Sequence, residues 1–111
     1  MKEDKYPLTI KEFQEWLENK EEDEIVGEAR HICACPLAKF LREKFKSELP
    51  YVENNSTYIT ISEIETFDYD NPEWVASFIG GIDEKYRISN NISAIQALKV
   101  LKEIRADLNI Y

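Results

Sequence analysis

Histidine and cysteine are scarce in this chain of 111 residues, which holds one histidine and two cysteines. All three fall within the short stretch His31–Cys35. A closed zinc site normally takes four ligands, so cysteine and histidine alone cannot complete one here. The two cysteines are separated by a single residue, and a disulfide between them would close too small a ring to remove much chain entropy. The sequence therefore predicts reduced thiols and a cytosolic protein.

Glycine, proline and long apolar runs are also rare. Three glycines and four prolines argue against long flexible linkers. No stretch approaches the roughly 18 apolar residues that a membrane-spanning helix needs. The first five residues, Met-Lys-Glu-Asp-Lys, are mostly charged and lead into no apolar run, so we expect no signal peptide. The sequence also lacks a phosphate-binding glycine loop and a nucleophile-elbow motif, and we expect neither catalysis nor a cofactor.

What the chain does have is apolar and acidic residues. Hydrophobic residues make up 43% and aromatic residues 12%, a composition that predicts one folded domain over residues 1–111. Acidic residues outnumber basic ones by 22 to 14, giving a net charge of −8. This sign disfavours binding to nucleic acid or to anionic membranes, and it favours a protein partner, in particular a basic one. The charge is uneven, since residues 1–28 carry ten acids against four lysines, whereas residues 36–48 carry four cations against two acids.

Apolar residues at helical spacing predict five helices. They run at about 9–20, 23–30, 36–47, 72–86 and 93–107. Residues 1–8 precede them as an N-terminal arm. Two of the helices begin with a capping box, Thr9 with Glu12 and Ser93 with Gln96.

Two further helix starts are marked by proline, which suits the first helical position. Pro36 follows Cys35, and Pro72 follows Asn71, whose side chain is the predicted cap of its helix. The pair Gly80–Gly81 costs that helix about 1 kcal/mol per glycine relative to alanine. We expect close approach of a neighbouring element to compensate, with a kink at this point as the alternative.

Residues 51–67 predict β-structure. The segment Thr57–Ser62 alternates polar and apolar side chains and is rich in β-branched residues. Turn-forming residues precede it, so we expect a hairpin of about 50–53 with 57–63. Glu63–Phe67 either extends this strand or leaves it. The predicted fold is α+β and mainly helical, in the order ααα-ββ-αα, with a small antiparallel hairpin packed on the helices.

The stretch His31–Cys35 is open to four interpretations. A nucleophilic dyad of a cysteine with His31, as in a cysteine protease or transferase, is disfavoured because the members of such dyads come from separate elements. In an extended segment, His31, Cys33 and Cys35 would share one side and could contribute to a zinc or copper site, with a further ligand still missing. As a redox pair, Cys35 at a helix N-terminus would have a lowered pKa and Cys33 could resolve it, although the spacing is not that of thioredoxin-like proteins. As structural residues, both cysteines would be buried at the junction of the second and third helices, with His31 near a helix C-terminus.

Two acidic segments are open to a functional and a structural interpretation. The charge run Lys20–Glu24, in which Glu21–Glu24 are acidic, is either an acidic docking patch or a solvated turn in which Asp23 caps the next helix. A second cluster resembles a calcium-binding loop, but Pro72 occupies its fifth position and the required glycine is missing, which favours a solvated loop. Its members are Glu63, Glu65, Asp68, Asp70 and Glu73.

Several segments resemble a group of small uncharacterised bacterial proteins, including cyanobacterial ones. They are Cys35-Pro36-Leu37-Ala38-x-Phe40-Leu41, the preceding Asp23–Gly27, Pro72-x-Trp74-x-x-x-Phe78-Ile79, and Ser93-Ala94-x-x-Ala97-Leu98. These are packing and capping residues. The resemblance therefore implies a shared fold and no particular activity.

Together these features predict a small acidic cytosolic interaction or regulatory module that binds a protein partner through a charged or aromatic surface. Two alternatives remain open. One is a thiol- or metal-binding protein that uses His31, Cys33 and Cys35. The other is an acidic inhibitor that mimics nucleic acid and binds a basic nucleic-acid-binding protein.

Overall fold

The computed structural model describes residues 2–3, 6–46, 50–60, 66–86 and 90–109. Within these ranges the chain forms four α-helices and six β-strands. The helices are α1 (Ile10–Glu18), α2 (Pro36–Phe45), α3 (Glu73–Lys85) and α4 (Ala94–Asp107). The strands are β1 (Lys2–Glu3), β2 (Ile25–Glu28), β3 (Tyr51–Val52), β4 (Ser56–Thr60), β5 (Thr66–Asp70) and β6 (Asn91–Ser93). The fold is α+β and mainly helical, as predicted, but the predicted order ααα-ββ-αα is wrong, because at least one strand lies between each described helix and the next.

The strands form two sheets. The larger has the order β1-β5-β4-β3, in which β1 runs parallel to β5 and the other neighbours are antiparallel. The smaller sheet pairs β2 with β6, and its register shifts between Ile25, which faces Ser93, and Gly27, which faces Ile92. In the segment predicted as an N-terminal arm, Tyr6 packs edge-on against Tyr69 and Trp74, and Leu8 is buried.

The predicted helix over 23–30 is wrong, because this segment contains β2. Its apolar run is too short for periodicity to separate a helix from a strand. Gly27 is a poor helix former, and in the strand it allows close contact with the backbone at the start of α2. The partner strand β6 lies more than 60 residues further along the chain. Long-range pairing therefore decides the structure of this segment.

The predicted hairpin is confirmed for the residues that the structure describes. Tyr51 pairs with Tyr58 and Val52 with Thr57, in antiparallel register. Residues 61–63 of the predicted second strand lie outside the described residues. Further along, β5 adds a third antiparallel strand beside β4, so the hairpin is part of a larger sheet.

Local capping signals place three of the four described helices. Thr9 Oγ1 accepts the Glu12 N–H at 3.1 Å at the start of α1, although the Glu12 carboxylate contacts Lys44 and the Thr9 hydroxyl, so the box is not closed. Both bonds of the capping box between Ser93 and Gln96 are present at the start of α4. The helix α2 begins at Pro36 with Cys35 as its cap, as predicted.

The predicted cap of α3 is wrong. The N-cap position belongs to Pro72, which has no side-chain hydrogen bond to the helix. The side chain of Asn71 instead accepts a hydrogen bond from the buried Thr57 hydroxyl and donates to the Glu53 carbonyl oxygen. Asn71 therefore joins the sheet to the loop before α3. Its amide and the Tyr6 hydroxyl, which lies 3.0 Å from Thr57 Oγ1, together satisfy the buried Thr57 hydroxyl.

The core lies between the helices and the inner faces of the sheets. Its largest fully buried side chains include Phe13, Leu37, Phe78 and Leu101. Close approach at the diglycine is confirmed for Gly81, where an added Cβ would lie 2.9 Å from Val100 Cγ1 of α4. Gly80 is exposed, with no neighbouring atom within 4 Å of such a Cβ, and α3 continues through both glycines. Among the described helices, none is long and apolar enough to span a membrane.

Candidate functional site

The stretch His31–Cys35 forms a turn that joins the two sheets. The amides of Ala34 and Cys35 both donate to the His31 carbonyl oxygen, at 3.2 and 2.9 Å. The Ala34 carbonyl oxygen accepts the Glu28 N–H of β2 at 2.7 Å. The Ile32 carbonyl oxygen accepts the Val52 N–H of β3 at 2.8 Å. The turn therefore connects strands from both sheets immediately before α2.

This turn separates Cys33 from His31 and Cys35, the two other side chains of the predicted group. His31, Cys33 and Cys35 would share a side only in an extended segment, where side chains alternate with a period of two. Here the chain is coiled, and His31 and Cys35 line one cleft while Cys33 lines another. Within the described ranges, no group of three or more histidine, cysteine or acidic side chains could hold a metal ion.

Cys35 is a packing and capping residue. Its side chain is 4% exposed, and its Sγ accepts the Ala38 N–H at 3.5 Å. Burial raises the pKa of the Cys35 thiol from 9.0 to about 11, because the loss of solvation outweighs the backbone hydrogen bonds that favour the thiolate. The predicted lowering of this pKa by the helix N-terminus is therefore wrong. At neutral pH the group is a neutral thiol.

Cys33 is half-buried in the other cleft, which has a volume of about 440 Å³ and is lined by two acids, Glu28 and Glu43, as well as by two cations. Lys39 and Arg42 of α2 line it. Lys39 Nζ donates to the Ile25 carbonyl oxygen, and Arg42 Nη2 donates to the Cys33 carbonyl oxygen, both at 3.2 Å. Because both cations bind backbone carbonyls, they stabilise the turn and the strand β2.

The first cleft, here called the Ile32 cleft, has a volume of about 350 Å³ and lies between the turn, the end of β3 and the C-terminal half of α3. Three segments that are distant in sequence therefore form it. Buried apolar side chains share the lining with polar ones. The lining residues are Arg30, His31, Ile32, Cys35, Val52, Glu53, Asn54, Ile79 and Asp83.

Arg30 fixes the position of the turn against α3. Its φ of 58° lies in the left-handed region, which is unfavourable for a residue with a Cβ. Its N–H donates to Asp83 Oδ1 at 2.8 Å, and its guanidinium donates to the carbonyl oxygens of Asp83 and Tyr86 and to Asn90 Oδ1. These acceptors lie at or beyond the C-terminal end of α3, where a cation is favoured. Four hydrogen bonds offset the backbone strain.

The Ile32 cleft has one exposed apolar side chain, and its lining holds more carboxylates than cations. The side chain of Ile32 is 43% exposed, whereas Val52 and Ile79 are buried. Two carboxylates, those of Glu53 and Asp83, line the cleft, and neither forms an ion pair with another described residue. The one cation in the lining, Arg30, directs its hydrogen bonds to the end of α3. The cleft thus offers apolar contact and negative charge together.

The acidic run Glu21–Glu24 is a turn that caps α4 with its main chain. The Glu24 N–H donates to the Glu21 carbonyl oxygen at 3.1 Å. The carbonyl oxygens of Glu22 and Glu24 accept the first amides of α4, those of Ile95 and Ala94. The predicted helix cap at Asp23 is wrong, since a strand follows. The side chains of residues 21–23 are exposed, which fits the solvated-turn interpretation.

The second acidic cluster is not a loop in the described residues. Asp68 and Asp70 belong to β5 and Glu73 begins α3, so the predicted solvated loop is wrong there. Glu63 and Glu65 lie outside the described residues. The Oδ1 atom of Asp68 is buried and has no hydrogen-bond partner among the described residues, although the residue as a whole is partly exposed.

No motif or spacing in the sequence singles out Arg30, Glu53 or Asp83. Each looks like an ordinary exposed charge in the sequence, and only the fold brings them to one cleft. A weak signal existed for Arg30, because it ends a short apolar segment immediately before the unusual stretch. Comparisons with protein-family models, with curated proteins and with solved structures found no match. The resemblance to small bacterial proteins and the thiol, metal and nucleic-acid-mimic hypotheses therefore stay predictions.

Proposed function

We propose that the protein is a small interaction module that binds a protein partner at the Ile32 cleft. One observation carries the proposal: a large apolar side chain, 43% exposed, stands at a concave site whose lining includes the buried apolar side chains of Val52 and Ile79. Apolar concavities with a few polar groups are where proteins most often bind their ligands. Truncation of a single apolar anchor at the centre of an interface often removes most of the binding energy.

The charge of the chain supports a basic partner. The net charge is −8, and the cleft itself contributes two carboxylates without ion-pair partners among the described residues. Opposite charge on a partner would speed its association and make binding weaken as salt is added. The cytosolic location predicted from the thiols fits such a role, and the proposal requires no catalysis.

The test compares two exposed isoleucines. Ile32 lies in the cleft, whereas Ile95, which is 47% exposed, lies at the start of α4 and does not line the cleft. Wild type, Ile32→Glu and Ile95→Glu would be immobilised in turn and used to capture proteins from the native host, with quantification by mass spectrometry. We expect a partner that Ile32→Glu loses by about tenfold or more, as for a central interface residue, and that Ile95→Glu retains.

The salt dependence gives a second measurement. Capture of that partner should fall between low and high ionic strength, because the interacting charges are solvent-exposed. If the two glutamate variants capture the same proteins in the same amounts as wild type, the Ile32 cleft is not the docking site. Circular dichroism on each variant separates loss of binding from loss of folding.

A further inference from the structure

The Ile32 cleft combines the two properties of a site for a basic side chain. Val52, Ile79 and Cys35 supply an apolar lining, and the thiol of Cys35 is neutral. Glu53 and Asp83 supply negative charge in the same cleft. The side chains of arginine and lysine have the matching division, since an aliphatic stem ends in a cationic head. A volume of about 350 Å³ is ample for one such side chain.

The electrostatics of α3 add to this match. The cleft adjoins the C-terminal half of α3, whose carbonyl groups carry a partial negative charge. Arg30 already exploits this end of the helix, since its guanidinium donates to the carbonyl oxygens of Asp83 and Tyr86. Together with the bond to Asn90, these bonds orient three of the five guanidinium donors toward the end of α3, and neither cleft carboxylate forms an ion pair with a described residue.

Other ligand classes fit the cleft less well. An anionic ligand would meet Glu53 and Asp83 at close range, and like charges repel. A bare metal ion would need a group of ligating side chains, and no such group exists in the described part of the chain. A neutral apolar ligand would leave the two carboxylates without compensation. We propose that the Ile32 cleft binds one arginine or lysine side chain of the partner, an inference that rests on the proposed function.

The experiment uses small probes on the whole protein. N-acetyl-arginine methylamide, its lysine counterpart and its citrulline counterpart are titrated into ¹⁵N-labelled protein, and amide chemical shifts are recorded by NMR. Citrulline has nearly the shape of arginine but no charge. We expect saturable shifts at Arg30–Cys35, Val52–Asn54 and Ile79–Asp83 with the cationic probes. The citrulline probe should bind roughly fivefold or more weakly, as for the loss of an exposed ion pair.

Three variants assign the effect to the cleft carboxylates. Asp83→Asn removes the charge but keeps an oxygen that can accept the Arg30 N–H. Glu53→Gln removes the second charge. Glu84→Gln removes an exposed charge from the next residue of α3, which does not line the cleft. We expect the first two to weaken binding of the cationic probes by about threefold each and the third to leave it unchanged. A tighter complex with the arginine or with the lysine probe identifies the preferred head group.

The inference is overturned if the citrulline probe binds as tightly as the arginine probe, or if the shifts fall outside the cleft. In either case, selective loss of the captured partner in Ile32→Glu would still support the docking function. Conversely, if the cationic probes bind in the cleft but Ile32→Glu captures every protein that wild type does, the docking function fails while the preference for cations stands.

Discussion

A methyl group added at Gly27 would lie 2.5 Å from the backbone nitrogen of Pro36, 2.7 Å from the carbonyl carbon of Cys35 and 2.8 Å from the carbonyl oxygen of Ala34. Real Cβ atoms essentially never approach other atoms closer than 3.0 Å. All three neighbours are backbone atoms at the start of α2, so no side-chain rotation can relieve the contact. The variant Gly27→Ala must therefore move β2 away from this helix start.

Two costs follow from that movement. Overpacking in a well-packed region destabilises by about 1–3 kcal/mol. The hydrogen bond from the Glu28 N–H to the Ala34 carbonyl oxygen, 2.7 Å long, would also lengthen, at a cost of about 1 kcal/mol. Together they predict a loss of roughly 3 kcal/mol in the free energy of unfolding, out of the 5–15 kcal/mol that is typical of small domains. The midpoint of thermal unfolding should fall by about 10 °C.

The other glycines provide matched controls in the same chain. Gly80 is exposed in α3 with no atom within 4 Å of an added Cβ, so Gly80→Ala should stabilise by about 1 kcal/mol through helix propensity alone. At Gly81 the added methyl meets only side-chain atoms, Val100 Cγ1 at 2.9 Å and Ile104 Cδ1 at 3.8 Å, so Gly81→Ala should fall between the two. None of the glycines has a positive φ, and alanine is therefore compatible with each backbone.

Urea unfolding measures all three variants. The buried Trp74 reports on tertiary structure by fluorescence, and far-ultraviolet circular dichroism reports on the helices. Coincident transitions would support two-state analysis. The expected order of stability is Gly80→Ala, Gly81→Ala, Gly27→Ala. If Gly27→Ala unfolds within 0.5 kcal/mol of wild type (about the size of an ordinary surface effect), the argument from backbone contact is refuted.

Two further predictions concern the turn and its neighbours. Arg30→Gly and Arg30→Ala lose the same side-chain hydrogen bonds, but only alanine retains the free-energy cost of the left-handed backbone. In urea unfolding, the glycine variant should therefore be more stable than the alanine variant by roughly 1 kcal/mol. Equal stabilities would argue against backbone strain at this position. Because the pKa of Cys35 is raised to about 11, the folded state holds the thiol proton more tightly than the unfolded state does. The free energy of unfolding should therefore decline by up to about 3 kcal/mol as the pH rises from 9 to 11. The variant Cys35→Ser, which keeps a capping oxygen, should lack this part of the decline, and an identical pH profile in both proteins would contradict the assignment.

Local signals in the sequence predicted most helix starts, because capping depends on residues within one turn of each other. Ser93 with Gln96 and Cys35 before Pro36 act as predicted for this reason. Asn71 has an equally good local signal, yet its side chain bonds to Thr57 and Glu53 instead. The Asn71 amide bonds to the buried Thr57 hydroxyl and not to the start of α3. Thr57 lies 14 residues away, so no local pattern around Asn71 indicates this partner.

The smaller sheet and the Ile32 cleft could not be predicted for a related reason. The strand β2 exists because β6, more than 60 residues away, pairs with it and because Gly27 can approach the start of α2. The cleft likewise needs the turn, β3 and α3 to meet. The stretch His31–Cys35 does lie at the Ile32 cleft. A shared metal or redox site was expected from its residues, but the coiled chain separates His31 and Cys35 from Cys33.

The pairing of β2 with β6 sets an order of events during synthesis. A ribosome adds about 5–20 residues per second, so β2 is made on the order of 3 to 13 seconds before its partner strand. During that interval Ile25 and Val26 have no strand to pair with, and such segments are prone to aggregate. The four acids of Glu21–Glu24 stand directly before them. Charges that flank an apolar strand oppose association between chains. We therefore expect the same run whose main chain later caps α4 to keep nascent chains apart until β6 is made.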